Sequence, residues 1–184
     1  MPARPPKRRG PRVDILRVGH RPGRDPRLTT HLALTARALG AGIMWIHPPA
    51  RDLAERMTSL NERWGGQFRV VDAPDWRSVI RAHPGETVHL TMYGQPLDRV
   101  LPRLRRASRL LLVVGGAKVP PDLYGLARWN VAVGAQPHSE VAAVAILLDR
   151  LGRIPPSRRF RGGTHRIRPS ARGKSVVRVG GAPS

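Results

Sequence analysis

Six short apolar segments recur through the first three quarters of the chain, and between them the apolar positions change to a helical spacing. The segments at 13 to 19, 43 to 47, 68 to 72, 87 to 93, 110 to 115 and 129 to 134 predict strands. The stretches at 30 to 39, 52 to 64, 75 to 82, 97 to 106, 122 to 127 and 139 to 151 predict helices, with Pro74 placed to open one and Ser139 to cap another. Regular alternation with short connections implies an α/β domain of three layers, a mostly parallel sheet with helices on both faces. Leu110, Leu111, Leu112, Val113 and Val114 are apolar without alternation, as a strand buried on both faces requires, so this segment is expected in mid-sheet.

The last predicted helix is apolar around nearly its whole circumference: Val141, Ala142, Ala143, Val144, Ala145, Ile146, Leu147, Leu148 and Leu151. A surface helix needs one apolar stripe about 100° wide. A second copy of the chain is the economical cover for the remaining face, so a homodimer through the last core helix is expected.

The 184 residues suffice for one ordinary domain. The longest apolar run, 141 to 148, falls far short of the roughly 20 residues that cross a bilayer, and no apolar stretch follows the basic residues near Met1. No membrane association and a cytoplasmic location are therefore expected. With no Cys, disulfides, thiolate metal sites and Cys nucleophiles are excluded. The seven His show no metal-binding spacing, so no metal is expected.

The formal charge of +21 is unevenly distributed. Residues 1 to 12 carry five basic side chains, residues 150 to 184 carry ten, and neither stretch has an acid. The chain thus divides into a basic N-terminal tail (1 to 12), a core (13 to 151) and a basic C-terminal extension (152 to 184). All but three of the 33 cations are Arg, whose planar fork matches phosphate, so nucleic acid is the expected partner. Eight aromatic residues are too few to suggest a sheet of base-stacking side chains.

Open parallel sheets bind ligands beyond the carboxyl ends of their strands. Three such ends are rich in Gly and Pro: Gly94; then Gly115, Gly116, Ala117, Lys118, Val119, Pro120; then Gly134, Ala135, Gln136, Pro137, His138, Ser139, Glu140. They read either as tight turns or as loops that present main-chain groups to a nucleoside in an apolar slot. A fourth end, residues 17 to 31, holds Arg17, His20, Arg21, Arg24, Asp25, Arg27 and His31, a composition that suits a phosphate clamp, an active site or a solvated basic loop. Neither dinucleotide-binding nor triphosphatase Gly motifs occur.

At these residues the sequence resembles a family. The segments LRVGHRPGRDPRLTTHLALTARALGA (16 to 41), WGGQFRV (64 to 70), HLTMYG (89 to 94), VVGGAKVP (113 to 120), NVAVGAQPHSEVAAVAILLDRL (130 to 151) and RGKSVV (172 to 177) resemble the archaeal tRNA cytidine 2′-O-ribose methyltransferases of the SPOUT class. The resemblance implies an α/β sheet with a C-terminal trefoil knot, S-adenosylmethionine as cofactor, and methylation of the ribose of a T-loop cytidine, position fifty-six, in tRNA. It places cofactor contacts on Leu90, on Gly115, Gly116, Ala117, Lys118 and Val119, and on Val133, Gly134, Ala135, Gln136, Pro137, His138, Ser139 and Glu140.

The chain departs from the family pattern at Ala117, where Glu is usual, and at Ala135, where Asn is usual. Leu28 and Leu34 stand where a related SPOUT family carries its Asn and Arg. The catalytic group is therefore sought in the basic loop: Arg24 first, flanked by Gly23 and Asp25, then Arg21, with Arg17 and Arg27 read as structural or phosphate contacts. His20, a phosphate oxygen or water is read as taking the proton, with His31 and His138 behind them. A non-catalytic RNA-binding protein that keeps the fold is the alternative reading, motivated by Ala117, Ala135 and the basic tails.

Overall fold

The structure, a computed structural model, describes residues 10 to 21, 26 to 50, 52 to 116, 119 to 152 and 159 to 179. Strands β1 (Arg12–Val18), β2 (Ile43–His47), β3 (Arg69–Asp72), β4 (Glu86–Pro96), β5 (Arg109–Gly115) and β6 (Trp129–Ala132) form one parallel sheet in the order β3-β2-β1-β5-β4-β6. Helices α1 (Pro26–Ala38), α2 (Leu53–Trp64), α3 (Trp76–Ala82), α4 (Leu97–Leu104), α5 (Leu123–Leu126) and α6 (Glu140–Arg150) alternate with the strands.

The sheet separates two cores. Along β5, Leu110, Leu112 and Val114 face one and Leu111 and Val113 the other, all at most 1% exposed. The larger core takes Leu32 and Ala36 of α1, Met57 of α2, Val100 and Leu104 of α4, and Val144, Leu147 and Leu148 of α6. The smaller takes Trp76 and Ile80 of α3 and Leu123 of α5. A side chain of this size contributes about 1.5–3 kcal/mol when fully buried, so the mid-sheet position of β5 anchors both layers at once.

Local chemistry sets the helix ends. Ser139 caps α6 by accepting from the Val141 amide at 3.2 Å, as its sequence position predicts. At α3 the cap is Asp75, accepting from the Arg77 amide at 2.9 Å, and Pro74 stands before the cap instead of opening the helix. The first helix starts at Pro26, earlier than the apolar period beginning at Thr30 indicates, because Pro at a helix start needs no amide donor. Arg12, counted with the basic tail by charge, is the first residue of β1 and pairs with Arg109.

The basic extension contains an antiparallel hairpin, β7 (His165–Arg168) and β8 (Ser175–Arg178). It is fastened where α2 ends. Gly66 N–H donates to Arg161 O at 2.9 Å, Thr164 N–H to Glu62 O at 3.3 Å, and the His165 ring lies 5.7 Å from Trp64. A Cβ on Gly65 would meet Arg161 O at 2.6 Å and Phe160 O at 2.8 Å, and Gly65 itself has φ +77°, so this docking requires glycine. Arg37 of α1 completes the anchor: its Nε donates to Asn61 Oδ1 at 2.9 Å and its guanidinium covers the Phe160 ring at 5.4 Å.

Candidate active site

The candidate residues meet at the carboxyl edge of the sheet. Because β4 lies between β5 and β6, Leu90 stands between the loop that follows Gly115 and the loop that follows Ala132. Leu90 is 9% exposed and belongs to the larger core, and Val133 packs against the same cluster, giving the site an apolar floor. Gly115 pairs with Val18, and a Cβ there would lie 2.1 Å from Val119 Cγ1, so the loop folds back into space that only glycine leaves open. Residues 134 to 139 are exposed, and the His138 ring Nδ1 is 2.6 Å from Gln136 O. Ala117 and Lys118 lie outside the described residues.

The basic loop begins at the end of β1, next to β5. Its members are treated very differently by the fold. Arg17 is 0% exposed and its guanidinium meets the Glu140 carboxylate at 2.7 Å, which joins β1 to the first residue of α6. The Glu140 carboxylate is thus committed to Arg17, not presented to a ligand. His20 is 3% exposed, with Nδ1 2.8 Å from the hydroxyl of the buried Thr29. That burial weakens it as a proton acceptor for a large substrate. Arg21, immediately after it, is exposed, as are Arg27 and His31 on α1. Arg24, the first catalytic candidate, lies outside the described residues.

Beneath the site runs a part-buried polar chain, built on the buried His89, that no local sequence pattern singles out. His89 Nδ1 is 2.9 Å from Asn130 Oδ1, Asn130 Nδ2 donates to Tyr124 O at 2.9 Å, and the Tyr124 ring stands edge-on to His89 at 4.8 Å. With the Asn130 amide nitrogen engaged, its oxygen accepts from His89. Burial lowers the His89 pKa below the usual imidazole value, and the bond to Asn130 only partly offsets this. The chain ties β4, β6 and α5 together under the loops that follow Gly115 and Ala132.

The concave surface lined by Arg37, Gly40, Gly65, Gly66, Phe68 and Phe160 is at the opposite, amino edge of the sheet. Its Arg37 and Gly66 anchor the segment that leads into the C-terminal hairpin. Among the described residues no group of His, Asp and Glu is arranged to hold a metal ion, and no helix is long and apolar enough to cross a membrane.

Solved structures of similar shape share the fold. A TrmH-family RNA methyltransferase from Porphyromonas gingivalis superposes with a TM-score of 0.58 at 16% identity, covering 77% of this chain and 59% of that one. The SpoU methyltransferase AviRb from Streptomyces viridochromogenes, solved with AdoMet, gives 0.54 at 20% identity, with 78% and 57% covered. The chain thus spans under two thirds of these structures and shares the SpoU/TrmH, or SPOUT-class, α/β fold with them.

Sequence comparison is more specific. Residues 64–177 match the family model for tRNA ribose 2′-O-methyltransferase, aTrm56. The tRNA (cytidine(56)-2′-O)-methyltransferase of Methanothrix thermoacetophila is 47% identical over 90% of this chain and 97% of its own length. That of Pyrococcus horikoshii is 47% identical over 92% and 86%. The chain belongs to this tRNA ribose 2′-O-methyltransferase family.

Proposed function

We propose that this protein transfers a methyl group from S-adenosylmethionine to the ribose 2′-oxygen of the T-loop cytidine at position fifty-six in tRNA. The observation that carries the reading is the convergence of Leu90, the Gly115 loop and the 133 to 140 loop on one edge of the sheet, beside the basic loop. An apolar floor with glycine-rich walls fits the adenosine of the cofactor, which main-chain groups of residues 115 to 119 and 133 to 139 would hold. The bound cofactor supplies an electrophilic methyl on a sulfonium.

The chain's own residues position the ribose and manage its proton. A guanidinium with a pKa above about 12 is a poor base, so Arg24 or Arg21 acts by stabilising negative charge that develops on the 2′-oxygen. The proton leaves to a phosphate oxygen or water, since His20 is enclosed and bonded to Thr29. Alignment of the reacting atoms supplies most of the remaining acceleration.

Two finer features belong to the same proposal. The strand β6 lies beyond β4 although β5 precedes it in sequence, and α6 then returns to pack on α1; this routing supports a trefoil knot in the C-terminal part. Within one protomer, α6 buries Ala143, Val144, Leu147 and Leu148 but leaves Ala142 and Ile146 exposed, and α1, on which it packs, exposes Leu28 and Leu34. That apolar surface is the proposed homodimer interface. The tRNA backbone is held by the basic loop and by the hairpin that carries Arg166, Arg168, Arg172 and Arg178.

Calorimetry with S-adenosylmethionine, followed by methyl transfer to a tRNA transcript, tests the reading. Binding at micromolar cofactor and transfer that stops when the target ribose is 2′-deoxy support it. No binding near a millimolar, with tRNA still bound, favours a non-catalytic RNA binder.

A further inference from the structure

Of the eight aromatic side chains, all within the described residues, only Tyr93 is exposed, and it is 78% exposed. It lies on an irregularity of β4. Val131 of β6 pairs with both Leu90 and Gln95, so residues 91 to 94 form an extra excursion between two consecutive rungs of the ladder. The return leg is pressed against β6: a Cβ on Gly94 would lie 2.4 Å from Val131 N and 2.5 Å from Asn130 C, so only glycine closes it. The outgoing leg is pinned by Thr91, whose hydroxyl is 3.3 Å from Tyr124 OH and 3.4 Å from the Tyr93 amide that donates to it. Behind Tyr124 stand the buried His89 and the half-buried Asn130.

A large amphipathic ring is thus held in solvent by a fixed backbone, at the strand end that carries Leu90 and between the two cofactor loops. Burying that ring within the domain would have been favourable, so its projection calls for an external partner. A cofactor adenine would need an enclosed slot, which a projecting ring does not make. A nucleobase offers a flat face that any aromatic ring can stack on, and RNA ribose becomes reachable when its nucleotide leaves the helical stack. Phosphate contacts from the many Arg residues fix the backbone but do not orient one sugar.

We propose that Tyr93 is a stacking platform for an unstacked T-loop nucleobase and thereby positions the target ribose. The inference rests on the proposed RNA methyltransferase reading. The test compares wild type, Tyr93→Phe and Tyr93→Leu by fluorescence anisotropy with a T-arm stem–loop RNA, by calorimetry with S-adenosylmethionine, and by steady-state methyl transfer. Loss of one stacked base corresponds to a roughly 5- to 150-fold weaker RNA Kd, about 1–3 kcal/mol. Tyr93→Leu is expected to show that weakening, with a matching rise in KM for RNA, while Tyr93→Phe retains RNA affinity and both variants bind cofactor as wild type does. Unchanged RNA affinity in Tyr93→Leu, an equal loss in Tyr93→Phe, or a parallel loss of cofactor affinity overturns the proposal. If wild type binds RNA but transfers no methyl group, the methyltransferase reading fails while the RNA-binding comparison still decides the role of Tyr93.

Discussion

The guanidinium of Arg17, fully buried near the end of β1, meets the carboxylate of Glu140, the first residue of α6, at 2.7 Å. The contact joins β1 to the end of the loop that follows Ala132. Removing one member of a buried pair leaves the other charge without compensation, at a cost of about 3–5 kcal/mol, whereas an apolar pair of similar volume is often neutral. Urea unfolding is therefore expected to show a loss of that size for Glu140→Ala and most of it recovered in Arg17→Met/Glu140→Leu. A loss below about 1 kcal/mol for Glu140→Ala would show that the pair does not hold this edge together.

Burial lowers the pKa of His89 in the folded protein, so the neutral ring is the form that fits. Below the unfolded value of about 6.5 the unfolded chain takes up a proton that the folded chain resists, and stability falls. The contribution is fully present above about pH 6.5 and is lost as pH drops toward the lowered folded pKa. Thermal unfolding from pH 8 to 5 is expected to show this fall in wild type and a shallower one in His89→Gln, which starts from lower stability. Equal slopes would remove His89 from the account.

For the proposed interface, Ile146→Glu places a charge on the exposed side of α6 and leaves the core face intact. Light scattering is expected to report a folded monomer with little or no activity. Leu148→Asp is a poor substitute because Leu148 is 0% exposed and its loss disrupts the protomer itself. An active monomer of wild type or of Ile146→Glu contradicts the dimer.

The tRNA backbone contacts are tested by neutralising Arg166, Arg168 and Arg172 together and, separately, by removing residues 1 to 9, which leaves β1 whole. Each lost phosphate contact reduces the slope of log K against log salt by about 0.7–0.9. The triple variant is expected to bind more weakly and with a flatter salt dependence while kcat is kept. Identical slopes in both variants would place the phosphate contacts elsewhere.

Much of this architecture was legible because its signals are local. All six strands of the sheet were readable from their apolar runs, and the unbroken run from Leu110 to Val114 marked the strand that the sheet buries on both faces. The hairpin was missed for a physical reason: His165–Arg168 and Ser175–Arg178 are only four residues each, their apolar Ile167 and Val176 are exposed, and the segment is held by glycine packing and Arg37 rather than by an apolar face of its own. The glycine-rich loops at Gly115 and Gly134 could be nominated from sequence. The burial of Arg17, the enclosure of His20 and the excursion that projects Tyr93 could not, since each depends on partners outside its own local segment.

The proposed ribose methylation at one tRNA position, assisted by an Arg of the basic loop, leaves a direct mark on its product. Mass spectrometry of nuclease fragments, after tRNA is incubated with S-adenosylmethionine and the protein, reads the product and its position directly. Wild type is expected to add 14 Da, one methyl replacing hydrogen (about that much for any single methylation), to the T-loop cytidine ribose, with kcat falling about 10²–10³-fold in Arg24→Ala or Arg21→Ala at saturating tRNA. If both variants keep wild-type kcat, Arg27 and His20 become the groups to replace. An unmodified T-loop, or a methyl found on a base instead of the ribose, contradicts the account.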